Sequence, residues 1–270
     1  MTSKAKKLDQ FYTNPAYAKH FYSVVESTVD LSQADILLEP SAGSGSYFNL
    51  MDPKRRIGLD LDPQTKGIQQ QDFFDWYPDE LPLPRIVTVG NPPFGKSAKL
   101  AINFFNHAAT FSTHIAFTIP RTFRKTSVIN RLHENFHLVY DETVPDNSFI
   151  FEGKPYDVWC CSQIWERRPN RRERIEILHL KDFQEYFEVV DPKISDFAIQ
   201  RVGGRAGQIR TENFKEYSAE SHYFIKAHHP DTLRVFEQCD FETIKYNTVG
   251  NPSISPSELL EEWQNKFQKR

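Results

Sequence analysis

The stretch that most constrains the fold is Asn-Pro-Pro-Phe-Gly at residues 91–95. It follows an apolar run at residues 86–90, which predicts a buried strand. Open α/β sheets bind ligands at the carboxyl ends of their strands, so this loop is expected to carry chemistry. Asn91 offers a neutral acceptor oxygen, the prolines stiffen the turn, and Phe94 presents a flat face. The motif therefore predicts a site for a planar aromatic amine.

The residue types of this loop favour methyl transfer to that amine. An exocyclic purine amine is a poor nucleophile because its lone pair is delocalised into the ring. The Asn91 side chain and the Pro92 carbonyl can each accept one N–H, which aims the lone pair at an electrophilic methyl group. We predict Asn91, Pro92, Pro93 and Phe94 as the catalytic residues. The alternative is an ordinary proline-rich turn after a strand.

A glycine-rich turn occupies residues 39–45, after a short apolar strand at residues 36–38 and before a helix predicted to begin at residues 46–48. Small residues let a backbone approach a ligand closely. Phe48 stands where a dinucleotide-binding turn has its third glycine, which argues against NAD. Glu39 at the strand end suits a cationic or amine-bearing ligand.

Two acidic positions follow the glycine turn. Residues 56–63 predict a second strand that ends in carboxylates. Asp60 can accept hydrogen bonds from both hydroxyls of a ribose, and Asp62 is the second choice. An Asp-Pro turn is the alternative for Asp62. Further on, Asp72 can accept from an adenine amino group, with Phe73 beside it.

The first part of the chain predicts a loop and then a helix over residues 16–27. Asn14 is the expected N-cap and Pro15 the first helical residue. By itself this stretch predicts a structural entry helix, and its amino end could receive a carboxylate.

In their order along the chain, these motifs resemble the S-adenosylmethionine-dependent amino-methyltransferases, and most of all the N6-adenine type with Asn-Pro-Pro-Phe. The resemblance covers about the first 166 residues. It implies an α/β fold with a doubly wound, mostly parallel, seven-stranded class I methyltransferase sheet. It implies S-adenosylmethionine as cofactor, no metal, amine contacts from Asn91 and Pro92, and base stacking on Phe94. The cofactor contacts that it implies are Tyr12, Thr13, Glu39, Pro40, Ser41, Gly43, Asp60, Asp72, Phe73 and Asn91.

Nucleic-acid contacts are expected at several places. Residues 144–149 resemble the loop that pockets the flipped base in this family, so Phe149 could stack, with core packing as an equal alternative. Arg121 follows a predicted strand at residues 114–120 and could contact phosphate, or lie in a solvated loop. Arg201, Arg205 and Arg210 flank a predicted glycine hairpin in the last third of the chain.

The sharpest change of composition is the arginine-rich run at residues 166–174. We place the domain boundary there, with a catalytic domain at residues 1–166 and a small α+β recognition region at residues 167–270. Clustered arginines can neutralise phosphates, and a solvated linker is the alternative. The chain is predicted to end in a helix that begins with a capping box at Ser255 and Glu258.

The composition limits the classes of protein to which this chain can belong. The net charge of −3 gives no general basic field, so any nucleic-acid surface must be local. Three cysteines form no disulfide framework, and Cys160 and Cys161 should point to opposite faces of a strand. The basic residues 1–7 have no apolar segment behind them, so we expect no signal peptide, no membrane and a cytoplasmic monomer or weak dimer.

We therefore expect a DNA adenine N6-methyltransferase. The alternatives are an RNA adenine N6-methyltransferase, a protein glutamine methyltransferase, and a nucleic-acid-binding subunit without activity. The glutamine enzymes usually have tyrosine at the position of Phe94. The intact Asn-Pro-Pro-Phe motif, together with Glu39 and Asp60, argues against the inactive alternative.

Overall fold

The computed structural model describes residues 11–79 and 82–268. The basic start at residues 1–7, on which the signal-peptide expectation depends, lies outside the described residues. The chain divides into two compact units, one built from the residues up to 123 and residues 128–174, the other from residues 124–127 and 175–270. In the described part of the chain, no helix has the length and apolar character that crossing a membrane requires.

The first unit is built on a seven-stranded sheet. In chain order, the fourteen strands of the described residues are β1 Tyr12–Thr13, β2 Ile36–Glu39, β3 Arg56–Asp60, β4 Gln69–Gln70, β5 Ile86–Gly90, β6 Ser112–Pro120, β7 Phe136–Thr143, β8 Phe149–Phe151, β9 Lys154–Tyr156, β10 Cys160–Arg167, β11 Phe187–Val189, β12 Phe197–Gln200, β13 Ile209–Arg210 and β14 His222–Ala227. The large sheet has the order β4-β3-β2-β5-β6-β10-β7. The first five strands in this order, β4-β3-β2-β5-β6, pair in parallel. Strand β10 is antiparallel to both of its neighbours, β6 and β7. This arrangement confirms the predicted class I methyltransferase sheet.

Helices cover both faces of this sheet. In chain order, the α-helices of the described residues are α1 Pro15–Thr28, α2 Lys99–Phe111, α3 Thr126–Ile129, α4 Thr232–Phe236, α5 Phe241–Ile244 and α6 Pro256–Phe267, of which α4, α5 and α6 belong to the second unit. Helices α1 and α2 pack into two separate apolar clusters, to which alternate residues of the central strands contribute. Cys160 lies in the α1 cluster and Cys161 in the α2 cluster, as predicted from strand alternation. The sheet is therefore doubly wound.

The predicted entry helix is confirmed. The Asn14 side chain accepts from the Ala16 backbone N–H, and Pro15 occupies the first turn. Asn14 also donates its backbone N–H to the Ser148 carbonyl at 2.9 Å. A local capping residue thus also fixes where α1 starts relative to the β8–β9 hairpin.

The helix predicted after the glycine-rich turn is wrong. The chain makes a single 3-10 turn at Phe48–Leu50 and then enters β3. Pro53 disfavours helical backbone at the residue before it, and the Asp52 carboxylate accepts from the Lys54 N–H to form a local turn instead. The connection between β2 and β3, residues 40–55, therefore contains no α-helix.

The second unit is a small α+β body. Its sheet has the order β11-β14-β12-β13, and the predicted hairpin is present, with Ala198 and Ile199 opposite Arg210 and Ile209. The capping box of α6 is confirmed, because the Ser255 and Glu258 side chains each accept from the other's backbone N–H. Trp263 is buried at the centre of this unit's core.

Two arginines of the arginine-rich run hold the structure of the first unit together. Arg167 donates to the carbonyls of Ser112 and Ala109. Arg172 donates to those of Phe136, Ile129 and Leu132. Guanidinium groups with several fixed donors suit this use, since they satisfy carbonyls at the ends of helices and strands. Neither residue is a solvated linker side chain available to phosphate.

Candidate active site

A cavity of about 530 Å³ opens at the carboxyl ends of β2, β3 and β5. This volume is typical of small-molecule sites. All but two of the residues predicted to bind cofactor or carry catalysis line it. The predicted residues that line the cavity are Tyr12, Pro40, Ser41, Gly43, Asp60, Asp72, Phe73, Asn91, Pro92, Pro93 and Phe94. The fold thus gathers residues from five separate segments into one cavity, although their roles stay predictions.

The glycine turn approaches Tyr12 closely. Gly43 has a φ of +44°, and a Cβ on it would lie 2.8 Å from Tyr12 Cε1. Its backbone N–H donates to Asp60 Oδ2 at 2.7 Å, and Asp62 N–H donates to Asp60 Oδ1 at 2.8 Å. A carboxylate has about four acceptor sites, so two backbone donors fix its orientation and leave capacity for a ligand hydroxyl.

Glu39 and Thr13 are the two predicted contacts that do not line the cavity. Glu39 is buried, and its Oε2 accepts from the Phe48 N–H at 2.6 Å. Burial raises its pKa well above the ordinary value, against the effect of that hydrogen bond. The Thr13 carbonyl accepts from Ser46 Oγ at 2.8 Å. Both residues hold the glycine turn in shape, so the structure does not support the direct ligand contact predicted for either.

The Asn91 side chain is held in one orientation. Its Nδ2 donates to the Phe11 carbonyl at 2.9 Å, while its backbone carbonyl accepts from Ser41 Oγ at 3.1 Å. The reverse amide orientation would place two oxygens against each other. Oδ1 is buried, and within residues 11–79 and 82–268 no donor bonds to it. A buried acceptor without a partner costs about 1–3 kcal/mol, and an incoming N–H would offset this cost.

The backbone has positive φ at the end of the motif and directly after it. Gly95, Ser97 and Ala98 have φ values of +66°, +54° and +59°. A Cβ on Gly95 would lie 2.7 Å from Leu100 Cβ, so glycine is required there by close approach. Left-handed backbone at two non-glycine residues is uncommon, and such strain concentrates at functional sites.

Asp72 and its neighbours form another wall. Asp72 Oδ1 accepts from the Phe74 N–H at 2.9 Å and begins a short 3-10 turn. Phe73 is almost fully buried against Phe104 and His107. Phe74 also lines the cavity and is only half-buried. Phe74 is therefore better exposed to a planar ligand than the Phe73 that we predicted.

Several lining residues were not predicted. They are Phe11, Leu61, Gln71, Phe74, Gly95, Lys96, Leu100 and Phe104. Most are immediate neighbours of predicted residues, so proximity in sequence was the available signal. Leu100 and Phe104 come from α2, and only the packing of that helix brings them to the cavity.

The predicted nucleic-acid contacts have different environments. Phe149 is 1% exposed and packs in the α1 cluster, so the core alternative is correct and direct stacking is wrong. Arg121 is half-buried and donates from Nε to the Cys160 carbonyl at 3.2 Å. In the second unit, the Arg201 guanidinium lies 5.2 Å from the centre of the Tyr223 ring. Arg205 is exposed in the hairpin loop, and Arg210 donates to Gln208 Oε1 at 2.7 Å.

Comparisons with known proteins show distant similarity in structure. No family model and no curated protein sequence matches. A candidate RNA methyltransferase from Pyrococcus horikoshii is 17% identical with a TM-score of 0.47, over 59% of this chain and 87% of that one. The 23S rRNA methyltransferase ErmE is 14% identical with a TM-score of 0.41, over 61% and 72%. The magnesium protoporphyrin IX methyltransferase of Synechocystis, which was solved with bound S-adenosylmethionine, is 10% identical with a TM-score of 0.41, over 62% and 86%. Similarity at this level does not indicate the substrate of this chain.

Proposed function

We propose that this chain transfers a methyl group from S-adenosylmethionine to the exocyclic N6 amine of adenine in a nucleic acid, with DNA as the first polymer to test. The observation that carries the proposal is the buried Asn91 Oδ1, to which no donor bonds among the residues that the structure describes, while its Nδ2 donates to the Phe11 carbonyl. A planar primary amine has two N–H groups, and one of them would supply the donor that this acceptor lacks.

The residues around the cavity fit the proposed cofactor. Gly43 leaves room where a side chain would collide with Tyr12. Asp60 is oriented by two backbone donors and can accept from ribose hydroxyls. Asp72 lines the cavity with Phe74 beside it, which suits an adenine ring and its amine. When bound, the cofactor supplies an electrophilic methyl group on a sulfonium.

The chain's own part in the reaction is to hold and orient the target amine. Asn91 Oδ1 accepts one N–H, and we assign the second N–H to the Pro92 carbonyl. Together they favour tetrahedral geometry at nitrogen and stabilise the positive charge that develops there. Phe94 is 5% exposed and lines the cavity, so its ring forms a wall against which a base can stack.

Product analysis tests this proposal directly. The protein is incubated with labelled S-adenosylmethionine and with DNA or RNA, each freed of the other, and the digested nucleosides are identified by mass spectrometry. We expect N6-methyladenine. Methyl groups on cytosine or on protein glutamine would contradict the assignment to adenine. Absence of cofactor binding in a calorimeter would favour the nucleic-acid-binding alternative without activity.

The arginine contacts proposed in the second unit need a separate test. Arg205 is exposed in the hairpin loop, so Arg205→Ala should weaken substrate binding and reduce the slope of log affinity against log salt by about one. Arg172 donates to three carbonyls, and it serves as the contrast. Arg172→Ala should lower stability and leave the salt slope unchanged. An unchanged slope in Arg205→Ala would remove the loop from the interface.

A further inference from the structure

Four aromatic rings form a continuous cluster between the cavity and the surface. Phe94 and Phe11 both line the cavity, with ring centres 6.5 Å apart. Tyr156 stacks on Phe11 at 5.0 Å with an angle of 6° between the planes. Phe151 lies 5.5 Å from both Phe11 and Tyr156. Within the part of the chain that the structure describes, Tyr156 is 43% exposed, so one ring of the cluster reaches solvent.

The position of Tyr156 is fixed by the β8–β9 hairpin. Glu152 and Gly153, at its tip, have φ values of +49° and +75°, which suits a tight hairpin turn. The buried Phe149 pairs directly with Tyr156 across the two strands. Strand β8 also pairs with β1, which carries the cavity residue Tyr12. Phe149, which the sequence predicts to stack on a base, is therefore buried and holds in place the hairpin that carries the exposed Tyr156 ring.

Charge on this hairpin does not suit a phosphate-dominated interface. The exposed Lys154 lies between Glu152 and Asp157, and the whole chain has a net charge of −3. An interface that works by neutralising phosphates needs an excess of basic groups. Stacking of a base on an aromatic ring has no such requirement and contributes about 1–3 kcal/mol per base. The surface is therefore suited to the face of an unpaired base.

We propose that Tyr156, supported by Phe11 and Phe151, is a stacking platform for the nucleotide next to the target adenine, and that the substrate is a single-stranded segment of nucleic acid. The proposal rests on the proposed function, because it assumes that the target base enters the cavity beside Phe94. In a duplex the neighbouring base remains paired and stacked within the helix, so it cannot lie on Tyr156. Single-stranded DNA and single-stranded RNA share this chemistry.

The test compares single-stranded oligonucleotides with the matched duplex, in DNA and RNA forms, using the full chain with S-adenosylhomocysteine present. Binding is measured by fluorescence anisotropy and methylation in a separate steady-state assay. We expect the single strand to bind at least about tenfold more tightly than the duplex. Tyr156→Ala should weaken single-strand binding by about fivefold to a hundredfold, the range that corresponds to one lost stacking contact. The loss should appear in KM, with kcat nearly unchanged.

Two controls separate stacking from support of the fold. Tyr156→Phe keeps the ring and should bind within about twofold of the wild type. Tyr77→Ala removes another exposed tyrosine, which packs against His107 and Phe111, and should leave binding unchanged. An oligonucleotide with an abasic site beside the target adenine should bind wild type and Tyr156→Ala equally weakly, because the stacking partner is absent. The polymer that binds more tightly identifies the natural strand.

Several results would overturn the platform. These are equal methylation of duplex and single strand, an unchanged affinity in Tyr156→Ala, or a loss that persists on the abasic substrate. A parallel loss of cofactor affinity in Tyr156→Ala would show that the ring only supports Phe11. If the wild type methylates every polymer poorly while still binding the cofactor, the proposed function fails as well. Methylation of adenine that ignores strandedness would leave that function intact and reject the platform alone.

Discussion

The loops that follow β2 and β5 leave neighbouring parallel strands, yet they use their polar groups differently. Around the glycine turn after β2, Glu39 accepts from the Phe48 N–H, Asp60 from the Gly43 N–H, and the Thr13 carbonyl from Ser46 Oγ. All three groups accept hydrogen bonds from within the protein, and Asp60 keeps further acceptor capacity for a ligand hydroxyl. In the loop after β5, the buried Asn91 Oδ1 has no donor among the described residues, and the next turn is strained.

This difference indicates a division of labour. The first loop is a rigid surface whose shape selects a ligand, since hydrogen bonds to Glu39, Asp60 and Thr13 hold its backbone in place. The second loop keeps an acceptor and stored strain at the point where a substrate would arrive. Preorganised dipoles of this kind are the usual source of transition-state stabilisation. Mutations in the first loop should therefore affect cofactor binding, and mutations in the second should affect turnover.

The strongest test of the comparison is Asn91→Ala. Removing one preorganised acceptor should lower kcat by about 10²- to 10³-fold, while the cofactor Kd stays within about threefold. Methyl incorporation and titration calorimetry measure the two quantities. Asn170→Ala, in an exposed loop, is the matched control and should change neither. An equal loss of both in Asn91→Ala would end the distinction between the two loops.

A second effect is expected at the glycine turn. In Gly43→Ala the new Cβ would lie 2.8 Å from Tyr12 Cε1, on backbone with positive φ. We expect cofactor affinity to fall by about tenfold or more and stability by about 1–2 kcal/mol, the cost of left-handed backbone. Gly153→Ala shares the positive φ, but no described atom lies within 4 Å of its would-be Cβ. It should lose stability and keep its cofactor affinity.

The buried Glu39 predicts a pH dependence of stability. Because its folded pKa is raised, the folded state holds a proton that the unfolded chain releases above about pH 4.5. The contribution of Glu39 to the free energy of unfolding is fully present below that pH. It is lost as pH rises towards the folded pKa, by at most about 1.4 kcal/mol per pH unit.

Glu39→Gln keeps an acceptor for the Phe48 N–H but does not titrate. Denaturant unfolding from pH 4.5 upwards should show the variant gaining stability relative to the wild type as pH rises. A constant difference between the two proteins would mean that Glu39 is ionised in the folded state. The Phe48 N–H would then donate to a charged Glu39 carboxylate.

The smallest expected effect is relief of strain after the Asn-Pro-Pro-Phe motif. Ser97 has a φ of +54°, which glycine adopts without cost. Ser97→Gly should stabilise the protein by about 0.5 kcal/mol, because the relief is partly offset by the greater freedom of glycine in the unfolded chain. If the strain serves catalysis, kcat should fall modestly in the same variant. A loss of stability would show that the turn is not strained.

The positions of the turns and strands followed from the sequence. The apolar run before Asn91, the glycine turn after β2 and the capping residue Asn14 each depend on neighbours a few residues away. Parallel strands bring their carboxyl ends to one edge, so these motifs had to meet once the sheet formed. That is why most of the predicted site residues line one cavity.

The use of each side chain was decided by contacts between distant segments. Glu39, Phe149 and Arg172 looked available for ligands in the sequence, yet they bind Phe48, the α1 core and three backbone carbonyls. Tyr156 carried no sequence signal, and hairpin pairing placed its ring beside Phe11. Local patterns set the backbone, whereas the packing of the whole unit determines whether a polar or aromatic group is satisfied by protein or remains for a substrate.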